Sequence, residues 1–280
     1  MRALINRIIS FSNVDGPGNR MAVFLQGCNL NCRYCHNPET INICDKCGQC
    51  ILNCPSKALE KKNEEILWDK EKCSNCDNCI KFCKKNSSPK TIYYTVDELL
   101  DKLFKISPFI SGITFSGGEC TLQHEFIADF FRNVKQKYQN LTCFVDTNGF
   151  EDFSKNEYKS LLEFTDAFML DVKAFDNEEH ILLTGKENRN ILKNLEFLGN
   201  IHKLYEVRTV IIPEFLFNTY TVDNVSRIIS KFNTKYKLIK YRAIGVKDKE
   251  IIKLPSPSDE IMKNLKEIAK TNGVKEVFII

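Results

Sequence analysis

Closely spaced cysteines are the residues of this chain best suited to do chemistry. Eleven of the thirteen cysteines fall into three tight groups. The first group has the spacing C-x3-C-x2-C and consists of Cys28, Cys32 and Cys35. Three thiolates hold only three irons of a cubane iron–sulfur cluster, so the fourth iron stays open to a substrate or cofactor. This group therefore predicts a cluster that takes part directly in a reaction.

The other two groups share the spacing C-x2-C-x2-C-x3-C, which holds a cubane cluster with no open iron. Pro55 follows the first of them, a pattern typical of bacterial ferredoxins. In two-cluster ferredoxins the fourth cysteine of each run binds the other cluster, so we predict crossed sets. The sets are Cys44, Cys47, Cys50 and Cys83 for one cluster, and Cys73, Cys76, Cys79 and Cys54 for the other. Two zinc sites are the alternative, although the repeated two-residue gaps suit iron better.

Three polar motifs stand directly after predicted strands later in the chain. They are Ser116-Gly117-Gly118-Glu119, Asp146-Thr147-Asn148-Gly149 and Asp171-Val172-Lys173. Two adjacent glycines let a ligand approach the backbone closely, and Glu119 offers a carboxylate to an ammonium group. Each motif alone is an ordinary turn. Because the carboxyl ends of barrel strands meet at one face, we predict that the three motifs share one pocket.

The elements that must position these residues alternate between strand and helix. Short apolar runs predict strands at 21–27, 110–115, 142–147, 167–172, 205–212, 236–243 and 274–280. Helical spacing predicts helices at 96–105, 125–138, 155–163, 191–198, 222–232 and 259–271. Repeated strand–helix units imply parallel strands and the α/β class. A partial or full (β/α) barrel of about six units fits this pattern, and an open doubly wound sheet is the alternative.

The segment from residue 37 to 90 has a different texture, without strand or helix periods and rich in Cys, Asn, Lys and Ser. Because it holds few large apolar residues, it can hardly fold without bound metal. We therefore predict three parts. These are a start of the barrel with the first cysteine group at 1–36, an inserted two-cluster domain at 37–90, and the remainder of the barrel at 91–280.

Composition narrows the cellular context and the partners. The net charge of +4 comes from 40 basic and 36 acidic residues scattered along the chain, which gives no support for nucleic-acid binding. No run approaches 18 apolar residues, and Asn6, Arg7 and Ser10 interrupt any signal-peptide core. We therefore expect a cytoplasmic protein without a membrane partner, in which closely spaced cysteines bind metal rather than form disulfides.

Taken together, the motifs resemble a known family. The first cysteine group, with Tyr34 before its last cysteine and a later Gly-Gly-Glu, is similar to the radical S-adenosylmethionine (radical SAM) superfamily. More narrowly, several stretches resemble the activating enzymes of glycyl radical enzymes. They are Asp15-Gly16-Pro17-Gly18-Asn19-Arg20, Tyr34-Cys35-His36-Asn37-Pro38, residues 116–123, Asp146-Thr147-Asn148-Gly149, Met169-Leu170-Asp171-Val172-Lys173 and the inserted double cysteine ladder.

The resemblance spans essentially the whole chain and implies both a fold and an activity. The fold is a partial or full (β/α)6-type radical SAM barrel with an inserted bacterial-ferredoxin-like domain. The cofactors are three [4Fe–4S] clusters and S-adenosylmethionine, whose reductive cleavage releases a 5′-deoxyadenosyl radical. That radical abstracts hydrogen from a glycine of a partner glycyl radical enzyme. Flavodoxin or ferredoxin is the expected electron donor, and the chain is expected to be a monomer.

The resemblance also implies roles for individual residues. Cys28, Cys32 and Cys35 hold the cluster with the open iron. The expected contacts of S-adenosylmethionine are Gly117, Gly118 and Glu119 at the ammonium group, Lys173 at the carboxylate, Tyr34 and His36 near the adenine, and Arg208 as a further contact. A monovalent cation is expected beside Asp146, Asp171 and the backbones of Thr147 and Met169. Asp15 and Gly16 are expected to face the partner's peptide.

One position departs from the family pattern, and some chemically able residues have no predicted role. Arg242 stands where related enzymes often carry histidine, which indicates a subgroup with its own partner. Cys120 and Cys143 lie outside the three cysteine groups, and we interpret both as structural. We interpret His124, His180 and His202 in the same way, because no partner pattern accompanies them.

Two other functions compete with the activating enzyme. A radical SAM enzyme that acts on a small metabolite or a peptide would share most of the motifs. The Asp-Gly-Pro-Gly stretch and the place of the insertion argue against it. A pure iron–sulfur electron carrier would leave the three-cysteine group and Gly-Gly-Glu unexplained.

Overall fold

The computed structural model describes residues 1–280 and contains eleven strands and eight α-helices. The strands are β1 (Arg2–Ser12), β2 (Arg20–Leu25), β3 (Leu59–Lys62), β4 (Glu65–Trp68), β5 (Ile92–Thr95), β6 (Gly112–Gly117), β7 (Thr142–Thr147), β8 (Ala167–Asp171), β9 (Leu204–Ile211), β10 (Lys235–Lys240) and β11 (Glu276–Ile279). The helices are α1 (Asn78–Lys81), α2 (Val96–Ile106), α3 (His124–Lys137), α4 (Lys159–Phe164), α5 (Asn177–Thr184), α6 (Arg189–Asn200), α7 (Asn218–Ile229) and α8 (Asp259–Thr271).

Nine of the strands form one sheet in the order β11-β10-β9-β8-β7-β6-β2-β1-β5. From β2 to β11 all neighbours in this sheet are parallel, as the repeated strand–helix units predict. At the other edge, β1 is antiparallel to both β2 and β5. The edge strands β11 and β5 do not pair with each other, so the sheet stays open. A closed barrel is therefore excluded, and the fold is of the α/β class with an open, partly parallel sheet.

The two faces of the sheet differ in polarity. Alternate residues of the central strands, such as Phe115, Val145 and Leu170, point into a core of 44 buried residues shared with the helices. On the opposite face Arg208 on β9 donates to Asp146 on β7, across the intervening strand β8. A doubly wound sheet needs apolar cover on both faces, so that alternative does not describe this sheet.

Capping residues explain where several helices begin. Thr95 and Glu98 form the predicted capping box of α2, with the Thr95 hydroxyl accepting from the Glu98 amide. Helix α5 was not predicted, although the Asp176 carboxylate caps its first turn and Gly185 ends it in the left-handed conformation. Its apolar residues lack a one-sided helical pattern, because it is only eight residues long.

The first strand, β1, was also missed by the pattern analysis. It pairs with β2 through a turn that contains Asp15 and Gly16. Beneath this turn the fully buried Arg20 guanidinium donates to the carbonyl oxygens of Ile113 (2.8 Å) and Thr142 (3.0 Å). Arg20 therefore ties the beginnings of β2, β6 and β7 together.

The cysteine-rich segment 37–90 has little regular structure. It contains the antiparallel pair β3–β4 and the one-turn helix α1. Neither was predicted, because the sequence of this segment shows no strand or helix period. Gln26 fixes its first residues to the sheet by donating to the carbonyl oxygens of Glu39 (2.7 Å) and Asn42 (2.6 Å). None of the helices is both long and apolar enough to span a bilayer.

Candidate active site

The first cysteine group lies in the loop that follows β2, at the carboxyl edge of the sheet. Backbone amides of this loop donate to the last carbonyl groups of α5, Asn31 to Thr184 (3.0 Å) and Arg33 to Leu183 (2.9 Å). The free carbonyls at the end of a helix are available for such contacts. Helix α5 therefore holds the loop in place, a role that no sequence signal indicated.

The three cysteines of this loop are half-buried. The Cys28 sulfur accepts hydrogen bonds from the Leu30 amide (3.4 Å) and the Asn148 side chain (3.8 Å). Hydrogen bonds to cysteine sulfur are typical of iron–sulfur sites. Burial raises the pKa of Cys28 to about 12 and that of Cys32 to about 11, so a metal must displace their protons.

No three His, Cys, Asp or Glu side chains converge closely enough to hold one metal ion. A cubane cluster makes a different demand, because each cysteine binds its own iron. The donors to the Cys28 sulfur and the common loop of the three cysteines fit a cluster.

Gly117 and Gly118 are required by the packing of the chain itself. A Cβ atom at Gly117 would collide with the backbone of Leu25, and one at Gly118 would collide with Gly27 and Thr40. Gly117 also has φ of 124°, in the region that side chains disfavour. We predicted that the two glycines leave room for a ligand. At their Cβ positions that room is filled by the backbone of Leu25, Gly27 and Thr40.

Glu119 is almost completely buried, and its carboxylate accepts four hydrogen bonds. One carboxylate oxygen accepts from the Thr121 amide (3.0 Å), the Thr121 hydroxyl (2.5 Å) and the Thr147 hydroxyl (2.7 Å). The other accepts from the Asn148 amide (2.7 Å). Burial raises the pKa of Glu119, against the opposing effect of these hydrogen bonds. The carboxylate therefore joins the loops after β6 and β7.

A charged network covers the polar face of the sheet. Arg208 donates to Asp146 (3.0 Å) and Glu206 (2.6 Å), and Ser116 donates to the same oxygen of Asp146 (3.0 Å). Lys237 pairs with the other oxygen of Glu206 (2.7 Å). Burial raises the pKa of Asp146, while the nearby Arg208 lowers it. Both predicted strand-end carboxylates have cationic partners here, because Asp171 pairs with Lys173 at 2.9 Å.

Lys173 and Tyr34 lie close together beside the cysteine loop. The Lys173 ammonium lies 5.6 Å from the centre of the buried Tyr34 ring. Burial lowers the pKa of Lys173, but Asp171 and Tyr34 outweigh it and keep the pKa well above its usual value. Lys173 is therefore a permanent cation beside the cysteine loop.

The sequence that carries this site matches a known family model. The model of the radical SAM superfamily matches residues 22–220, which include the first cysteine group and all three strand-end motifs. The chain belongs to the radical SAM superfamily. Membership implies a [4Fe–4S] cluster and S-adenosylmethionine as partners of this site.

Individual relatives identify a narrower group of radical SAM proteins that this chain resembles. The isethionate sulfite-lyase activating enzyme of Oleidesulfovibrio alaskensis is 28% identical over 95% of this chain and 92% of its own. The pyruvate formate-lyase-activating enzyme of Clostridium pasteurianum is 29% identical over 89% of this chain and 87% of its own. These matches confirm the predicted resemblance to activating enzymes.

Solved structures agree with the fold. QueE from Escherichia coli superposes with a TM-score of 0.54 at 11% identity, covering all of this chain and 94% of that one. At this identity the likeness concerns the fold alone. It agrees with the open, partly parallel sheet seen here.

The loop after β10 closes over the radical SAM cysteine loop. Asp248 accepts from Arg33 (2.8 Å), and Glu250 accepts from the same guanidinium (2.6 Å). The His36 ring bonds to the carbonyl oxygen of Arg242 (3.0 Å), so the position that departs from the family meets a predicted cofactor residue. Asp248 was not predicted as a site residue, because a single acidic residue in a polar loop gives no recognisable sequence pattern.

We expect the Asp248→Asn substitution to loosen the cysteine loop. Arg33 holds the pKa of Asp248 at about 2, and both side chains are about one quarter exposed, so solvent screening limits the loss to about 1 kcal/mol. Hydrogen exchange at residues 31–36 should accelerate in the variant, with little change in the core strands. Asp223→Asn, which breaks the Arg227 pair on α7, is the control and should leave this loop unchanged. Equal exchange in both variants would contradict the prediction.

The inserted segment brings the cysteines of one crossed set together. Cys54, Cys73, Cys76 and Cys79 line a single cavity, although Cys54 is distant from the others in sequence. The Ala58 amide donates to the Cys54 sulfur (3.2 Å). In the other set, burial raises the pKa of Cys44, and the nearby Cys83 adds to this effect. This arrangement fits the crossed pattern.

Asp15 and Gly16 lie apart from the cysteine loop. Their turn precedes β2, whereas the cysteines follow it, so the six residues of β2 separate the two. The Asp15 side chain accepts from Ser12 (2.5 Å), and its backbone oxygen accepts from Thr114 (2.6 Å).

The two leftover cysteines are buried. Cys120 donates to the carbonyl oxygens of Phe115 (3.5 Å) and Asp146 (3.3 Å), and Cys143 belongs to the main core. Among the histidines, His180 is fully buried and bonds to the Lys186 carbonyl oxygen (2.7 Å). These contacts support the structural interpretation of all three side chains.

Proposed function

We propose that this chain activates a glycyl radical enzyme by generating a radical from S-adenosylmethionine. The observation that carries the proposal is the full-length likeness to activating enzymes, together with a site built at the carboxyl edge of a partial barrel. When bound, the open-site [4Fe–4S] cluster supplies one electron for cleavage of the sulfonium. The chain acts as a monomer in the cytoplasm.

The residues of the site divide the work of holding cofactor and cluster. Cys28, Cys32 and Cys35 hold the cluster, and the amides that donate to the Cys28 sulfur stabilise its charge. Lys173 presents a cation to the carboxylate of the methionine moiety. Glu119 joins the two loops on which the ammonium group rests, because its two oxygens accept from Thr147 and Asn148.

The remaining predicted contacts surround this centre. Tyr34 and His36 flank the adenine, and Gly117 and Gly118 contribute backbone next to the ammonium group. Arg208 is anchored by Asp146 and Glu206, which positions it on the open face. A monovalent cation beside Asp146 and Asp171 would have to compete with the two cationic side chains that these carboxylates already bind.

The insertion 37–90 is proposed as a ferredoxin-like domain with two further [4Fe–4S] clusters, one in each crossed set. Its support is the cavity lined by four cysteines from both ladders. Flavodoxin or ferredoxin supplies the electron. Asp15 and Gly16 guide the glycine-bearing peptide of the partner along the open face.

The proposal predicts two products from one anaerobic incubation. Reconstituted protein, dithionite, S-adenosylmethionine and the partner enzyme should give 5′-deoxyadenosine together with the doublet of a glycyl radical in electron paramagnetic resonance. Omitting the partner should remove the doublet. Formation of 5′-deoxyadenosine without any doublet in the presence of a competent partner would contradict the proposal and favour a small-molecule substrate.

A further inference from the structure

A cleft of about 570 Å³ lies between β1, α2 and the inserted segment. We call it the basic cleft, because its rim carries Arg7, Lys70, Lys102 and Lys105. None of these four cations forms an ion pair, whereas the other cation of the lining, Lys90, pairs with Asp77 (2.7 Å). Unpaired cations at the mouth of a cleft attract an acidic partner and speed its association.

We call the two crossed sets of cysteines in the segment 37–90 the auxiliary sets. The basic cleft shares a wall with the cavity of one of them. Trp68, Asp77 and Lys90 line both the cleft and the cavity formed by Cys54, Cys73, Cys76 and Cys79. The indole nitrogen of Trp68 is buried and has no hydrogen-bond partner in this chain. A buried indole N–H usually has a partner, which points to an additional group at this wall.

The other auxiliary set faces the active site instead. Asp45 and residues 84–86, next to Cys44 and Cys83, line a second cavity together with Cys28 and Asn29. Lys247, in the loop that covers the radical SAM cysteines, donates to the carbonyl oxygen of Cys83 (3.2 Å). The two auxiliary sets therefore have different neighbours, one the basic cleft and the other the active-site loop.

We propose that the basic cleft docks an acidic flavodoxin, which delivers its electron to the auxiliary cluster of Cys54, Cys73, Cys76 and Cys79. This inference rests on the proposed function, in which these cysteines hold a cluster. The electron then passes to the set of Cys44 and Cys83 and on to the active site. The flavin loses one electron and the oxidised cluster gains it, and no bond forms or breaks in this chain.

The lining of the cleft favours a flavin protein over an iron–sulfur donor. Beneath the cationic rim, the floor contains Ile8, Ile80, Ile92 and Tyr94. An apolar floor suits the edge of a flavin ring that projects from an acidic surface. Phe104 on α2, between Lys102 and Lys105, is 70% exposed and extends the apolar contact beyond the cleft.

The test is direct binding of oxidised flavodoxin to the holoenzyme, measured by calorimetry at several salt concentrations. We expect the double substitution Lys102→Glu and Lys105→Glu to weaken binding on the order of tenfold or more at low salt. It should also flatten the dependence of affinity on salt. The matched control, Lys263→Glu and Lys266→Glu, has the same spacing on the distant helix α8 and should bind like the wild type.

Several results would overturn the inference. They are unchanged binding by the Lys102/Lys105 variant, equal weakening in the control, tighter binding of an acidic ferredoxin, or no binding at all. Equal iron content and equal dithionite-driven cleavage of S-adenosylmethionine show that the variant is intact. The binding measurement needs neither S-adenosylmethionine nor a glycyl radical partner. The binding result can therefore be interpreted even if the proposed activation of a glycyl radical enzyme fails.

Discussion

Replacing Cys32 by Ala should reduce 5′-deoxyadenosine formation roughly 1000-fold or more, well beyond the 10–100-fold typical of losing a group outside the ligand shell. The loop that carries Cys32 is fixed on both sides, because the amides of Asn31 and Arg33 bind the end of α5. We therefore expect the fold to survive while one iron loses its thiolate. The measurement uses dithionite as reductant, so that electron delivery through the insertion is not required.

Cys143→Ala is the matched control for this substitution. Cys143 is fully buried in the main core and contacts no residue of the active-site loop, so its loss should cost stability but not cleavage. If Cys32→Ala retained more than about a tenth of wild-type cleavage, the open-site cluster would have to be held elsewhere.

The second large effect is expected for Glu119→Gln. A glutamine can keep the three bonds accepted by one oxygen, but its amide group would then face the Asn148 amide, donor against donor. Leaving a buried amide unsatisfied costs about 2 kcal/mol, which lowers the melting temperature by about 5 °C for a chain of this size. Cleavage should fall as well, since Asn148 also contacts the Cys28 sulfur.

Glu125→Gln provides the control for the carboxylate change, because Glu125 is exposed in the first turn of α3. Its melting temperature and cleavage should match the wild type. Unchanged stability of the Glu119 variant would mean that the carboxylate does not join the two loops. In that case a direct contact with the ammonium group would regain support.

The sequence predicted the parallel strands well, because each is an apolar run closed by polar residues. The Lys173 ammonium lies 5.6 Å from the centre of the Tyr34 ring, but the predicted roles of the site residues stay predictions. It did not predict β1, which is an edge strand with a mixed pattern, or α5, which is short. Whether the sheet closes is decided by the pairing of distant edges, and no local pattern reports it.

The role of Glu119 shows a second limit of pattern reading. Its place in a Gly-Gly-Glu motif indicated a ligand contact, whereas the folded chain surrounds it with its own donors. Thr121 is a local partner, but Thr147 and Asn148 are 28 and 29 residues away, so only the tertiary structure brings these two to Glu119. The Arg33–Asp248 pair spans 215 residues, and no sequence pattern predicted it either.

Transfer of an isotope from the partner enzyme tests the central claim most directly. The partner is prepared with glycine deuterated at its α-carbon and incubated anaerobically with this protein, dithionite and S-adenosylmethionine. Direct abstraction predicts 5′-deoxyadenosine carrying one deuterium, in an amount that matches the glycyl radical. Product that contains only protium, while the glycyl radical still forms, would contradict the account.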